Sequence, residues 1–99
     1  MIEVRLRDEA VDDILTATAW YEFQRADLGI EFAVELDVAL ERIVGGPEKY
    51  ARQYGEVRRV LLRRFPYAVY FVIDENIAHV LAVLHQRQSP AVWRGRGDT

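Results

Sequence analysis

The 99-residue sequence contains no cysteine. That excludes a disulfide scaffold, a thiolate zinc site and a cysteine nucleophile, and it suits a reducing cytoplasm, the expected location. Serine occurs once, as Ser89 ahead of Pro90 in the tail, so no Ser-His-Asp triad is expected. The only paired glycines, Gly45-Gly46 followed by Pro47, fit a helix stop and not a phosphate loop. Glu3, Arg5, Arg7 and Asp8 crowd the first eight positions, so no apolar signal segment is expected. The longest apolar stretch, Ile77 to Leu84, is interrupted by His79 and falls far short of the ~20 residues of a membrane span.

What is present is a chain 51% hydrophobic, ample for one globular domain over residues 1–99. A chain this size buries roughly 60–68% of its unfolded surface, so its core is thin. Net charge is −3, unevenly spread: residues 1–50 hold 12 acids and 5 bases, residues 51–99 hold 4 acids and 8 bases. The acidic total argues against non-specific nucleic-acid binding, while the second half can still carry a local basic surface. Twelve of the 13 basic residues are arginine, the side chain suited to bidentate recognition of carboxylate or phosphate.

Ile2, Val4 and Leu6 alternate with charged residues, the period of a half-buried strand. Asp8 is placed to cap the helix that follows, in which Ala10, Ile14, Ala17 and Tyr21 recur at helical spacing; Val11, Leu15, Trp20 and Phe23 widen that stripe. After Asp27-Leu28-Gly29 a second helix carries Phe32, Ala33, Leu36, Leu40 and Ile43 on one face. Beyond Tyr54-Gly55 the period changes to strand: Val57 to Phe65, then Tyr67 to Ile73, a turn at Asp74-Glu75-Asn76, and Ile77 to His85. The expected fold is α+β, in the order β-α-α-β-β-β, with a helix hairpin on one face of a small, mostly antiparallel sheet.

Alternation assigns faces. In the last strand Ala78, Val80, Ala82 and Leu84 are expected under the helices, with Val69, Phe71, Ile73, Val60 and Leu62 beside them. The opposite, open face then collects Arg59, Arg63, Tyr70, His79, His85 and, if the strand continues, Arg87. His79 and His85 lie about 20 Å apart on one strand and cannot share an ion, so no metal site or cofactor is expected. The doubled arginines Arg58-Arg59 and Arg63-Arg64 send one guanidinium to each face; Arg58 and Arg64 can reach water or the helices' acids. Arg59 and Arg63 are either solvated or an anchor for an acidic partner or a nucleic-acid backbone. Trp93, in the tail A-V-W-R-G-R-G-D-T, either folds back on the domain or makes contact with a partner.

Nearly the whole chain resembles the RelE/ParE superfamily of bacterial type II toxins, also called plasmid stabilisation proteins. The resemblance rests on A-x-x-D-I from Ala10 to Ile14, G-x-x-F at Gly29 and Phe32, V-R-R-V-L-L-R-R-F-P-Y-A-V-Y-F from Val57 to Phe71, and V-L-A-V-L-H-Q-R-x-x-P-x-x-W from Val80 to Trp93. It implies a growth-inhibiting toxin held in check by a cognate antitoxin, in a toxin–antitoxin hetero-oligomer.

The resemblance implies two mechanisms. One branch cleaves mRNA on the ribosome without a metal, from a basic sheet face. The other, ParE-like, inhibits DNA gyrase by binding. In the ribonuclease branch an arginine commonly stands where this chain has Ala68, and a tyrosine about where it has Trp93, whose indole offers no hydroxyl. His85 and Arg87 would be the catalytic groups in that branch. The losses at Ala68 and Trp93, with the acidic charge, favour the gyrase-binding branch and a non-enzymatic protein. In that reading Arg59, Arg63, Tyr70, His85, Arg87 and Trp93 meet the partner or target. A third reading is an inert domain of this fold that acts only within a complex.

Overall fold

The computed structural model describes residues 2–88; Trp93 lies outside them. In chain order it contains β1 (Glu3–Leu6), α1 (Asp8–Gln24), α2 (Leu28–Gly45), a 3₁₀ turn (Pro47–Lys49), β2 (Arg52–Tyr54), β3 (Val57–Leu61), β4 (Tyr67–Asp74) and β5 (Ile77–His85). The sheet order is β1-β5-β4-β3-β2; β1 runs parallel to β5 and every other pair is antiparallel. The fold is α+β as expected, with one strand more: β2 is short, wholly exposed and paired to β3.

The helix hairpin is held by its own polar groups. Helix α1 begins at Asp8, which sits inside the first turn and not at the cap. Asp27 turns the chain in the left-handed region (φ 71°), and the Glu22 carboxylate accepts the backbone N–H of Asp27 and Gly29 at 2.9 Å each. That satisfies donors at the start of α2 that the helix itself leaves unpaired. Gly29 lets the helices approach: a Cβ there would stand 2.8 Å from the Thr18 carbonyl oxygen. Gly45 and Gly46 end α2, and Pro47 opens the 3₁₀ turn.

Tyr21, Phe32, Phe65 and Tyr67 form a ring cluster with centroids 4.9–5.9 Å apart, which pins the hairpin to the bend between β3 and β4. Ile43, Val60, Val69, Phe71 and Val80 fill the rest of this core. The expected widening of the α1 stripe is not buried. Val11, Leu15, Trp20 and Phe23 all face solvent, Phe23 at 90% exposure.

Candidate functional site

Strand β5 contains an irregularity that decides which residues share a face. Tyr67 to Tyr70 pair with His85 to Ala82, but Phe71 pairs with Val80, so Leu81 is an extra residue in β5. Such a bulge shifts the alternation by one. Ala78 and Val80 lie in the helix-side core, and past the bulge so does Val83. Leu81, Ala82 and Leu84 join the opposite face, contrary to the expected burial of Ala82 and Leu84 under the helices.

His85 is therefore turned to the helix side, and its expected place on the opposite face is corrected. Its ring lies 5.5 Å from that of Tyr67, and it lines a hollow of about 450 Å³ with Thr16, Ala17, Trp20, Tyr21, Pro66 and Tyr67. His79, before the bulge, points to the other face, paired across to Val72. The two histidines are thus on opposite faces. Among the described residues no three of His, Cys, Asp and Glu converge.

The face opposite the helices is not open at its centre. Val57, Ala68, Tyr70, Leu81, Ala82 and Leu84 form a second buried cluster, with Tyr70 at 6% exposure. Arg59 stands half-buried directly opposite Tyr70 on the neighbouring strand. Arg63 lies beyond the end of β3, in the bend before β4, and not on the strand face expected for it. Arg87 lies in the turn after β5 and is exposed, so the strand does not carry it. Of the five expected contact residues that are described, only Arg59 and Tyr70 are brought together on that face.

The turn after β5 also occupies His85. Its Nδ1 accepts the Arg87 backbone N–H at 3.1 Å, the His85 backbone N–H donates to Gln88 Oε1 at 2.9 Å, and the Gln86 backbone N–H donates to the Pro66 carbonyl at 2.9 Å. The Nδ1 lone pair is thus engaged by the turn.

Several acids that resemble an ordinary solvated helix face hold loops instead. Asp13 on α1 accepts the Val83 N–H at 3.0 Å, on the edge of β5 that β1 leaves after Val80. Glu35 on α2 accepts the backbone N–H of Arg63 and Arg64 through one oxygen, at 3.2 and 3.0 Å. Glu31 takes the Arg64 and Arg25 guanidiniums at 2.7 and 3.2 Å; hydrogen bonds from Arg64 and then Arg25 hold its carboxyl below the usual range. Arg58 donates to the carbonyls of Glu48 and Tyr50. Arg58 and Arg64 are thus committed to the fold. Among the described residues no acid pairs with the Arg59 or Arg63 side chain.

Residues 4–90 match the family model described as ParE toxin of type II toxin-antitoxin system, parDE. The chain belongs to the ParE toxin family. Its fold is also that of a solved chain of the chromosomal ParDE toxin–antitoxin system from P. aeruginosa, with a TM-score of 0.75 at 13% identity over 86% of this chain and 96% of that one. No curated protein matches the sequence. The family match spans every expected contact residue of this ParE-family toxin except Trp93. Sequence reasoning missed Asp13, Glu22 and Glu35, because an acid on a helix carries no local sign of the backbone N–H it will meet.

Proposed function

We propose that this ParE-family toxin arrests growth in the cytoplasm by binding DNA gyrase, without a chemical step of its own, and is held inactive by a cognate antitoxin. The observation that carries the non-catalytic reading is the bulge at Leu81. It leaves His85 on the helix side with Nδ1 engaged, while Arg59 and Tyr70 stand on the other face. General acid–base cleavage of RNA needs a proton acceptor and fixed positive charge converging on one phosphate. Ala68, at 0% exposure, adds no charge to that face.

The outer face of the hairpin supports an antitoxin partner. Leu15, Phe23, Ile30 and Val34 are all more than half exposed. A groove of about 490 Å³ runs between the helices, lined by Leu15, Thr18, Ala19, Ile30 and Ala33. A contiguous apolar patch of this kind on a small domain marks an interaction surface. A disordered segment that folds on binding can cover it.

The test expresses the wild type and His85→Ala, maps mRNA 5′ ends and assays gyrase supercoiling in parallel. The expected result is growth arrest with inhibited supercoiling in both proteins and no codon-positioned cleavage. Cleavage that disappears in His85→Ala, with supercoiling untouched, would establish the ribonuclease reading instead. Absence of growth arrest on expression would leave an inert member of the family.

A further inference from the structure

The hollow that receives His85 has a chemistry of its own. It lies in the seam between α1 and the ends of β4 and β5, and rings make most of its wall. Trp20 meets Tyr21 edge-on at 5.0 Å, Tyr21 meets Tyr67 at 5.9 Å, and Tyr67 meets His85 at 5.5 Å. A second hollow of about 150 Å³ adjoins it, sharing Thr16, Ala17 and Tyr67, and is walled by Asp12, Asp13 and Gln88. Among the described residues no arginine or lysine lines either hollow. The negative field reaches the shared wall: burial, and then the charge of Asp13, push the Tyr67 phenol above its ordinary range.

Ring faces are electron-rich and attract cations, and the attraction grows where water is partly excluded. An anion entering the seam would instead meet Asp12 and Asp13. We propose that the seam is a cation cage for an arginine side chain of a partner protein, with the guanidinium against Trp20 and Tyr67 and turned toward the Asp12–Asp13 end. Arginine fits better than lysine because its planar, weakly hydrated head stacks on rings. A polypeptide fits better than a free small molecule because the cage opens beside exposed apolar surface. Trp20, 56% exposed, and Phe23, 90% exposed, are one turn apart on α1, and one partner segment can cover both. The proposal does not depend on which target the toxin inhibits.

The experiment uses the full chain carrying Trp93→Phe, which leaves Trp20 as the sole tryptophan. It is titrated with N-acetyl-arginine amide and, separately, with N-acetyl-glutamate amide, following Trp20 fluorescence and the His85 ring signals by NMR. Arginine amide is expected to give a saturable response and glutamate amide none. Trp20→Leu, at a position more than half exposed, is expected to weaken binding about twofold to fivefold by the His85 signals. Asp12→Asn is expected to weaken it while leaving the spectrum of the free protein unchanged. Equal responses to both amides, or none to arginine up to about 100 mM, would overturn the proposal. Tighter binding in a chain with Arg94→Gln and Arg96→Gln would also overturn it, because the chain's own arginines would then be the occupants.

Discussion

The carboxylate of Asp13, on the first helix, accepts the backbone N–H of Val83, seventy residues away on the last strand, at 3.0 Å. It occupies a donor on the β5 edge that β1 does not reach. Asp13→Ala should therefore destabilise the fold by about 1–3 kcal/mol, the cost of an unpaired donor that had a charged acceptor. Asp13→Asn keeps an acceptor oxygen and should lose less. Urea denaturation of the three proteins checks the order. Removing the charge should also let Tyr67 ionise at lower pH, measured by phenolate absorbance.

Gly29 and Gly45 make a matched pair. A Cβ on Gly29 would press on the Thr18 carbonyl at 2.8 Å, backbone against backbone. Gly29→Ala should cost about 1–3 kcal/mol through overpacking. Gly45 has nothing within 4 Å of its added Cβ, so Gly45→Ala should be neutral or stabilising by up to about 1 kcal/mol. Thermal denaturation separates them.

Two phenylalanines of the hairpin should behave in opposite ways. Phe32 is fully buried and Phe23 is 90% exposed. Phe32→Ala should cost about 3–5 kcal/mol. Phe23→Ala should leave folding within about 0.5 kcal/mol of the wild type, yet weaken the antitoxin complex. Calorimetric titration of each folded variant with the antitoxin reads the second effect.

Antitoxin binding should raise the melting temperature of the toxin, because a ligand of the folded state alone draws the equilibrium toward it. An unchanged melting temperature at saturating antitoxin would contradict the proposed partnership.

Stability should fall at both ends of the pH scale for identifiable reasons. Tyr21 and Tyr67 have phenols raised in the folded state, mainly by burial. The unfolded chain loses these protons first, so their contribution is complete below the ordinary phenol range and is lost as pH rises through the folded values. Glu31 is lowered by its hydrogen bonds from Arg64 and Arg25, so its contribution is present above the ordinary carboxylate range and lost as pH falls. Tyr67→Phe should flatten the alkaline limb in a chemical-denaturation series, and Glu31→Gln the acidic one.

Sequence periodicity was sufficient for the hairpin and for β3, β4 and β5, because each has either a helical stripe or a bounded apolar run. It failed at Leu81 for a definite reason. From Val80 to Leu84 every residue is apolar, so a one-residue shift within that run leaves no trace in its pattern. The misplacement of His85 follows from that shift alone. β2 was missed because Arg52, Gln53 and Tyr54 are three exposed residues without alternation, paired only through the backbone. The exposed stripe of α1 could not be told from a core stripe, since its apolar residues recur at the same helical spacing whichever way they face.

The parallel pairing of β1 with β5 joins the first described strand to the last. Until Ile77 to Val80 has emerged from the ribosome, Glu3 to Leu6 has no strand to lie against, and β4 remains a bare apolar edge. The sheet thus closes only once β5 is available. A nascent chain that holds β4 but not yet β5 presents β4 as a template for adventitious pairing, a vulnerability that ends when β5 pairs with it.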